Sequence, residues 1–364
     1  MQLAIIDGNI KIDKRIIKLA KNNVVKSAEA VNLVYVSDSE QGFTRVRSGK
    51  GFYYLNGNKK VTDLKNINRF KKLVIPPAWQ KVWICKSENG HLQVTGYDKL
   101  QRKQYRYHPK WNTLRNQTKF YSLLNFGKQL PAIRVQLQHD LSLQGFPQEK
   151  VLAAVVSLLD RTSIRVGNDI YEKLYGSFGL TTMKNSHVTV KGTKLHFAFT
   201  GKKGIKHNIT LKSKKLSRIV KGCKEIPGKK LFEYYDEEGN VHNIDSGMVN
   251  TYIQRITNDN YTAKDFRTWA GSVQLLLAFK DLGDYTTETD KKQKVNAALD
   301  MVALQLGNTR SVCKKYYVHP AIIDLFENRK LHKHIINLKK INTDDGPDKL
   351  APEEKILLKI LEAL

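Results

Sequence analysis

Hydrophobic periodicity changes once along this chain, and that change limits the folds open to it. From "LVYVSD" (33–38) to about residue 98, apolar and polar residues alternate between Gly and Asn turns, the two-residue period of half-buried strands. Within that stretch "KVWICKSENGHLQVTGYD" (81–98) is two alternating runs around "ENG", a hairpin, and "IPPAW" (75–79) is a rigid extended connector. From about residue 116 the pattern turns helical: "KFYSLLNFGKQLPAIRVQLQHDL", "PQEKVLAAVVSLLDRTSIRVGNDIYEKLY", "TAKDFRTWAGSVQLLLAF" and "KKQKVNAALDMVALQLG". Strands interrupt this once, at "HVTVKGTKLHFAFTGKKGIKHNITL" (187–211), with "TGKKG" the tight turn between two of them. The expected fold is therefore α+β and segregated. A short helical extension covers 1–31, a β-rich domain 32–115, and a mostly helical domain with a small inserted sheet 116–344. Residues 345–364 end on a docked amphipathic helix, "APEEKILLKILEAL". No internal repeat is present, and 364 residues amply supply a buried core.

Charge narrows the partner. The net charge of +28 favours a polyanion, and no basic amphipathic helix points to a membrane. Acidic residues are missing from 99–139, 173–224 and 301–323, while the sequence between is ordinarily mixed. A surface facing phosphates has a reason to exclude carboxylates locally, because each would repel the ligand. In the first of these windows "KLQRKQYRYHPKW" (99–111) interleaves basic and aromatic residues. Alternation sets Tyr105 and Tyr107 on one face, among Arg102, Lys103, Arg106 and Lys110. That suits phosphate contact with aromatic support; a half-buried sheet edge is the plainer reading. The apolar runs are too short to span a bilayer, and the first residues lack a signal core, so secretion is not expected. Cys85, Cys223 and Cys313 are widely spaced, odd in number and form no CxxC pair, which suggests a reducing compartment.

Several chemistries find no residues to carry them. There is no GxxxxGK[ST] phosphate loop, HExxH pair or EF-hand loop. "HKH" (332–334) reads as an exposed basic helix end, and "TDD" (343–345) as a solvated loop. What remains is chemistry on phosphate with Arg, Lys and Tyr, needing no cofactor and no metal. A tyrosine oxygen can attack a phosphodiester and form a covalent intermediate. Arginine forks suit the charge gathering on the equatorial oxygens. The poor leaving sugar oxygen needs a general acid, which a lysine on a tight hairpin turn can be.

The residues available for that chemistry carry a family resemblance. The chain resembles the type IB DNA topoisomerases of the compact bacterial and large-virus kind. The likeness runs from "LVYVSDSEQGFTRVRSGKGFYYL" through "IPPAW", "VWIC", "RKQYRYHP", "IRVGN", "YGSFGLTTM", "FTGKKG" and "TAKDFRTWAG" to "LGNTRSVCKKYYVHP". It implies a β-rich N-terminal DNA-clamping domain before a catalytic domain of the tyrosine recombinase and type IB topoisomerase kind. It also implies roles: Tyr317, directly before the "[IV]HP" signature, as nucleophile, and Arg165, Arg267 and Asn308 on the phosphate. Lys202, first of its pair, is the implied general acid. Poxvirus-like members have histidine where Asn308 stands; asparagine can donate a hydrogen bond but cannot become cationic.

Tyr316 and Tyr317 lie about 100° apart on a helical turn, so only one can face the phosphorus. By the resemblance, Gln104, Tyr105, Tyr107 and Tyr171 contact duplex DNA, and the enzyme acts as a monomer clamped on it, in the cytoplasm at the nucleoid. A tyrosine recombinase is the first alternative, but "KDFR" has Lys264 where recombinases usually carry the histidine of HxxR. A non-catalytic architectural DNA binder fits the charge equally well, but leaves the arginine, lysine, asparagine and tyrosine set unexplained.

Overall fold

The computed structural model describes residues 4–6, 9–11, 23–49, 51–99, 101–336 and 349–364. The fold is α+β, strand-rich first and mostly helical afterwards, and it divides into two compact units, 1–122 and 123–364.

The N-terminal unit is built on one antiparallel sheet. In spatial order its six strands are Lys59–Lys60, Gly51–Asn56, Phe43–Ser48, Gln80–Ile84, Leu92–Tyr97 and Lys103–Tyr107. The expected hairpin is the Gln80–Ile84 and Leu92–Tyr97 pair, and "KQYRY" is the edge strand beside it. Helix Leu64–Lys72 starts on Asp63, whose carboxylate accepts from the Lys65 and Asn66 amides at 3.1 and 3.0 Å. It buries Phe70 against Phe43 and Tyr54, ring centroids 5.0 and 4.7 Å away. Arg45 holds the "IPPAW" connector by donating to the carbonyls of Ile75, Pro76 and Trp79 at 3.1, 3.0 and 2.8 Å.

Two segments differ from expectation. The described part of 1–31 opens on an antiparallel pair, Ala4–Ile6 with Asn9–Lys11, before helix Val24–Glu29. The sequence "AIIDGNIK" brackets an Asp-Gly pair with isoleucines, a hairpin signal that overrides helix. The long helix starts at Pro109, not near 116, and runs to Asp140. Its first turns are polar except for Trp111 and Leu114, which are buried with Ala28, Val31 and Leu33. Two apolar residues one turn apart are a short stripe, and proline at the first helical position fits.

The C-terminal unit has one large core. Helix Gln148–Thr162 is buried along nearly its whole length, and helices Ala263–Leu282 and Glu288–Leu306 pack in the same cluster. The inserted sheet is Val188–Lys191, Lys194–Thr200 and Lys206–Lys212, with Lys194–Thr200 in the middle. The amphipathic tail, helix Pro352–Glu362, docks as expected by burying Ile356, Leu357, Ile360 and Leu361. It also buries a charge. Glu354 accepts from Arg134 at 2.8 and 2.9 Å and from the Trp269 indole at 2.9 Å, while Arg134 also donates to Asp160 at 2.9 and 3.2 Å. Every charge in that network has a partner, which makes burial tolerable. Among the described residues no helix is long and apolar enough to cross a membrane.

Candidate active site

Arg165, Lys202, Arg267, Tyr317 and Tyr171 line one cleft of about 320 Å³ in the C-terminal unit. They come from four separate stretches of chain, each delivered by a local device.

Arg165 follows the end of helix Gln148–Thr162, where Ser163 takes a left-handed φ of 55° and turns the chain out of the helix. "YGSFGLTTM" straps this segment in extended form: the Leu180 and Thr181 amides donate to the Arg165 and Val166 carbonyls at 2.9 and 2.6 Å. The Arg165 guanidinium then donates through Nη2 to the Gly307 carbonyl at 2.8 Å and to Asn308 Oδ1 at 2.6 Å. Asn308 is thus tied to the site through Arg165, and its amide orientation is set by that bond. Burial lowers the Arg165 pKa, with Tyr317 and Cys313 pulling the other way.

Arg267 lies in helix Ala263–Leu282 and is only 4% exposed. It donates through Nη1 to the Ser163 carbonyl and through Nη2 to the Leu306 carbonyl at 2.8 Å. Burial, then the nearby Arg165 charge, lowers its pKa to about 10, so it is still a cation at neutral pH. Its Nε and the Nδ2 of Asn308 are buried donors with no hydrogen-bond partner among the described residues. Unpaired buried donors are costly, roughly 1–3 kcal/mol each, and these two belong to side chains held at one turn, Arg267 by the Leu306 carbonyl and Asn308 by Arg165, where an acceptor is expected to enter.

Lys202 stands on the turn between strands Lys194–Thr200 and Lys206–Lys212. Lys203 holds a φ of 65° there, and the Gly201 amide closes the turn on the Ile205 carbonyl at 2.7 Å. The Lys202 ammonium sits 5.2 Å from the centre of the Tyr171 ring. Tyr171 is on helix Asp169–Tyr175, capped by Asn168 accepting from the Ile170 amide at 3.0 Å.

The adjacent tyrosines separate. Tyr316 ends helix Arg310–Tyr316, with the Lys315 and Lys264 ammoniums 5.3 and 5.9 Å from its ring centre. Tyr317 caps that helix and lies with the Arg267 guanidinium 5.3 Å from its ring centre; it, and not Tyr316, lines the cleft.

The seat of Tyr317 is not visible in sequence. The Tyr317 carbonyl approaches Gly271 so closely that a Cβ there would lie 2.4 Å from it. One residue on, Ser272 Oγ accepts from the His319 amide at 3.0 Å and donates to the Thr268 carbonyl at 2.9 Å. His319 caps the next helix, Pro320–Glu327, accepting from the Ala321 amide at 3.3 Å, and burial lowers its imidazole to about 4, where it remains a neutral acceptor. The helix that carries Arg267 therefore also carries the seat of Tyr317. The small residues in "TWAGS", set in an apolar helix, are the signal that could have found it. Lys264, another cleft residue, bears only on the recombinase alternative in the sequence reading.

Gln104, Tyr105 and Tyr107 belong to the N-terminal unit, all on its edge strand. The two tyrosine rings stack in parallel 6.0 Å apart, so alternation does set them on one face. Tyr105 is 47% exposed, whereas Tyr107 is half-buried against Trp111 and its neighbours. Gln104 donates to Asp98 at 3.0 Å. The "HKH" run opens a short helix, His332–Ile335. "TDD" lies outside the described residues. Among those residues no group of three or more His, Cys, Asp or Glu could hold a metal ion.

Known proteins share both parts of this chain. Residues 108–342 match the family of the eukaryotic DNA topoisomerase I catalytic core, and residues 51–98 match the bacterial DNA topoisomerase IB N-terminal domain. DNA topoisomerase 1B of Acanthamoeba polyphaga mimivirus is 30% identical over 299 residues, 79% of this chain and 88% of the viral protein. DNA topoisomerase 1 of Schizosaccharomyces pombe is 26% identical over 57% of this chain, which spans only 26% of the yeast protein. DNA topoisomerase 1 of rabbit fibroma virus is 25% identical over 46% of this chain and 52% of its own length. With a catalytic-core family spanning 108–342 and so extended a viral relative, this chain belongs to the type IB DNA topoisomerases.

Proposed function

We propose that this enzyme relaxes supercoiled duplex DNA through the tyrosine, arginine and lysine set of the cleft. Tyr317 Oη attacks a backbone phosphorus, the bond to the 5′ oxygen breaks, and Lys202 gives that oxygen a proton. The 3′-phosphotyrosyl link conserves the bond while the freed end swivels. Attack by the 5′ hydroxyl then reverses each step and releases the tyrosine. Arg165, Arg267 and Asn308 receive the charge on the non-bridging oxygens. The observation that carries this reading is the pair of orphaned buried donors, Arg267 Nε and Asn308 Nδ2, in the cluster that also holds Tyr317. Donors fixed in advance, with no solvent to reorganise, stabilise developing charge most effectively.

The exchange of one phosphoester for another is nearly isoenergetic, so neither nucleotide nor metal is required. Relaxation of both positive and negative supercoils is expected to persist in EDTA without ATP. Strict dependence on added magnesium or ATP, read on a plasmid gel, would overturn the mechanism. Stacked Tyr105 and Tyr107, with Gln104 beside them, and Tyr171 in the cleft supply DNA contacts from both units, as a monomer acting on one duplex at the nucleoid requires.

The seat of Tyr317 makes a second expectation. Gly271→Ala puts a methyl group 2.4 Å from the Tyr317 carbonyl, a backbone atom that cannot swing aside. The nucleophile is displaced, and misplacement on the scale of 1 Å costs about 10²-fold in rate. Single-turnover cleavage should fall by that order while DNA affinity holds; unchanged cleavage would mean the helix yields instead.

A further inference from the structure

A histidine outside the reacting set lies between two of its parts. His207 belongs to strand Lys206–Lys212 and pairs across the hairpin with Phe199, on whose ring its imidazole stacks at 4.9 Å. On one side is the turn that carries Lys202: a Cβ at Gly201 would lie 2.7 Å from His207 Cδ2 and Nε2. On the other is the turn before Asn308: a Cβ at Gly307 would lie 2.5 Å from His207 Cε1, 2.9 Å from Nε2 and 3.4 Å from Arg165 Nη1. Both neighbours are glycines, so the ring edge meets main chain directly on each side. The main chain of the lysine turn and that of the phosphate-clamp turn are therefore separated by one imidazole. No hydrogen bond of either ring nitrogen exists among the described residues, so the ring acts by its thickness. Burial lowers the pKa of His207, and the Arg165 and Arg267 charges lower it further, so the ring is neutral beside the guanidiniums.

We propose that His207 is a positioning residue whose ring spaces the Lys202 turn from the Gly307–Asn308 turn and so sets where the lysine ammonium meets the leaving oxygen. This rests on Lys202 being the general acid. The hairpin is also held toward Arg165 by the strap, whose Phe178 amide donates to the Thr200 carbonyl at 2.9 Å, but that bond lies before the turn, and His207 is what packs on Gly201 beside Lys202. Arg165 and Asn308 are bonded to each other; Lys202 is tied to them through this packing. Removing the ring should therefore impair proton delivery while leaving the phosphate clamp in place.

The test uses single-turnover formation of the covalent adduct at saturating protein, on duplexes whose scissile 5′-bridging atom is oxygen or sulfur. Sulfur is a good leaving group and needs little protonation. His207→Ala is expected to slow cleavage of the oxygen duplex by about 10-fold or more, as displacement of a catalytic group does. It should cleave the sulfur duplex nearly as fast as the parent enzyme. Adding Lys202→Ala should make matters no worse than Lys202→Ala alone, because both act on one proton transfer. Equal defects on both duplexes, or a double variant with the product of the two defects, would overturn the proposal. If sulfur fails to rescue Lys202→Ala itself, the acid is misassigned and the proposal falls with it; rescue of Lys202→Ala but not of His207→Ala rejects the positioning role alone. Gly201→Ala guards against misfolding of His207→Ala, since its φ of −92° suits alanine and only the His207 ring obstructs the new methyl. It should show the same sulfur-sensitive defect, and parent-like cleavage of both duplexes would also reject the spacer.

Discussion

Tyr317→Phe is expected to fold, bind duplex DNA and form no covalent adduct. The substitution keeps the ring that packs on the core with the Arg267 guanidinium 5.3 Å from its centre, and it leaves untouched the Tyr317 amide bond to the Cys313 carbonyl at 2.9 Å. What it removes is the one oxygen assigned to the ester; Tyr171, the other tyrosine lining the cleft, is not expected to replace it from its own helix. Tyr316→Phe is the matched control. Its ring sits between lysines outside the cleft lining, so loss of the hydroxyl should cost no more than the roughly 1 kcal/mol of an ordinary hydrogen bond and leave substantial relaxation. Peptide mapping of the trapped adduct should find the nucleotide on Tyr317, joined through its 3′ phosphate. Attachment at Tyr316, or through a 5′ phosphate, would overturn both the assignment and the mechanism.

Arg267→Lys is expected to lower single-turnover cleavage by about 10²–10³-fold, the usual loss on removing a preorganised donor to a developing oxyanion. The charge survives, but the fork does not. Arginine reaches the Ser163 and Leu306 carbonyls with its two terminal nitrogens and still presents Nε. A lysine ammonium in the same buried place satisfies the carbonyls or the phosphate, not all three, because its three donors radiate from one point. DNA affinity, spread over many phosphate contacts, should change little, and a thermal melt separates loss of chemistry from loss of fold. Cleavage within about threefold of the parent enzyme would show that charge alone suffices and that the orphaned Nε donor plays no part.

Much of the architecture can be read from short-range pattern, because one local choice settles it. The alternation that pairs Tyr105 with Tyr107 and the Gly-Lys-Lys-Gly turn that raises Lys202 are decided within a few residues. The start of the long helix at Pro109 is harder, because Trp111 and Leu114 bury against residues some eighty positions earlier. The same holds within the site. Arg165, Lys202, Arg267, Asn308 and Tyr317 come from the family resemblance of the motifs that hold them, and all but Asn308 line one cleft. The parts that seat them are not read that way: Gly271 matters only because the Tyr317 backbone crosses it, and His207 only because Gly201 and Gly307 flank its ring. Close approach of two backbones distant in sequence has no local signature. Only one of the two edge-strand tyrosines is open, since Tyr107 turns half of itself into packing, a distinction periodicity cannot make.

The carboxylate of Glu354 has a consequence for how the enzyme is made. Arg134 and the Trp269 indole share it, and Trp269 stands two residues beyond Arg267. Until helix Pro352–Glu362 docks, the Trp269 indole N–H lacks this acceptor and Arg134 lacks one of its two carboxylates. The helix that carries Arg267 is therefore completed by a segment some eighty positions later in the chain, and assembly of the centre waits on a contact that no neighbouring residue can supply.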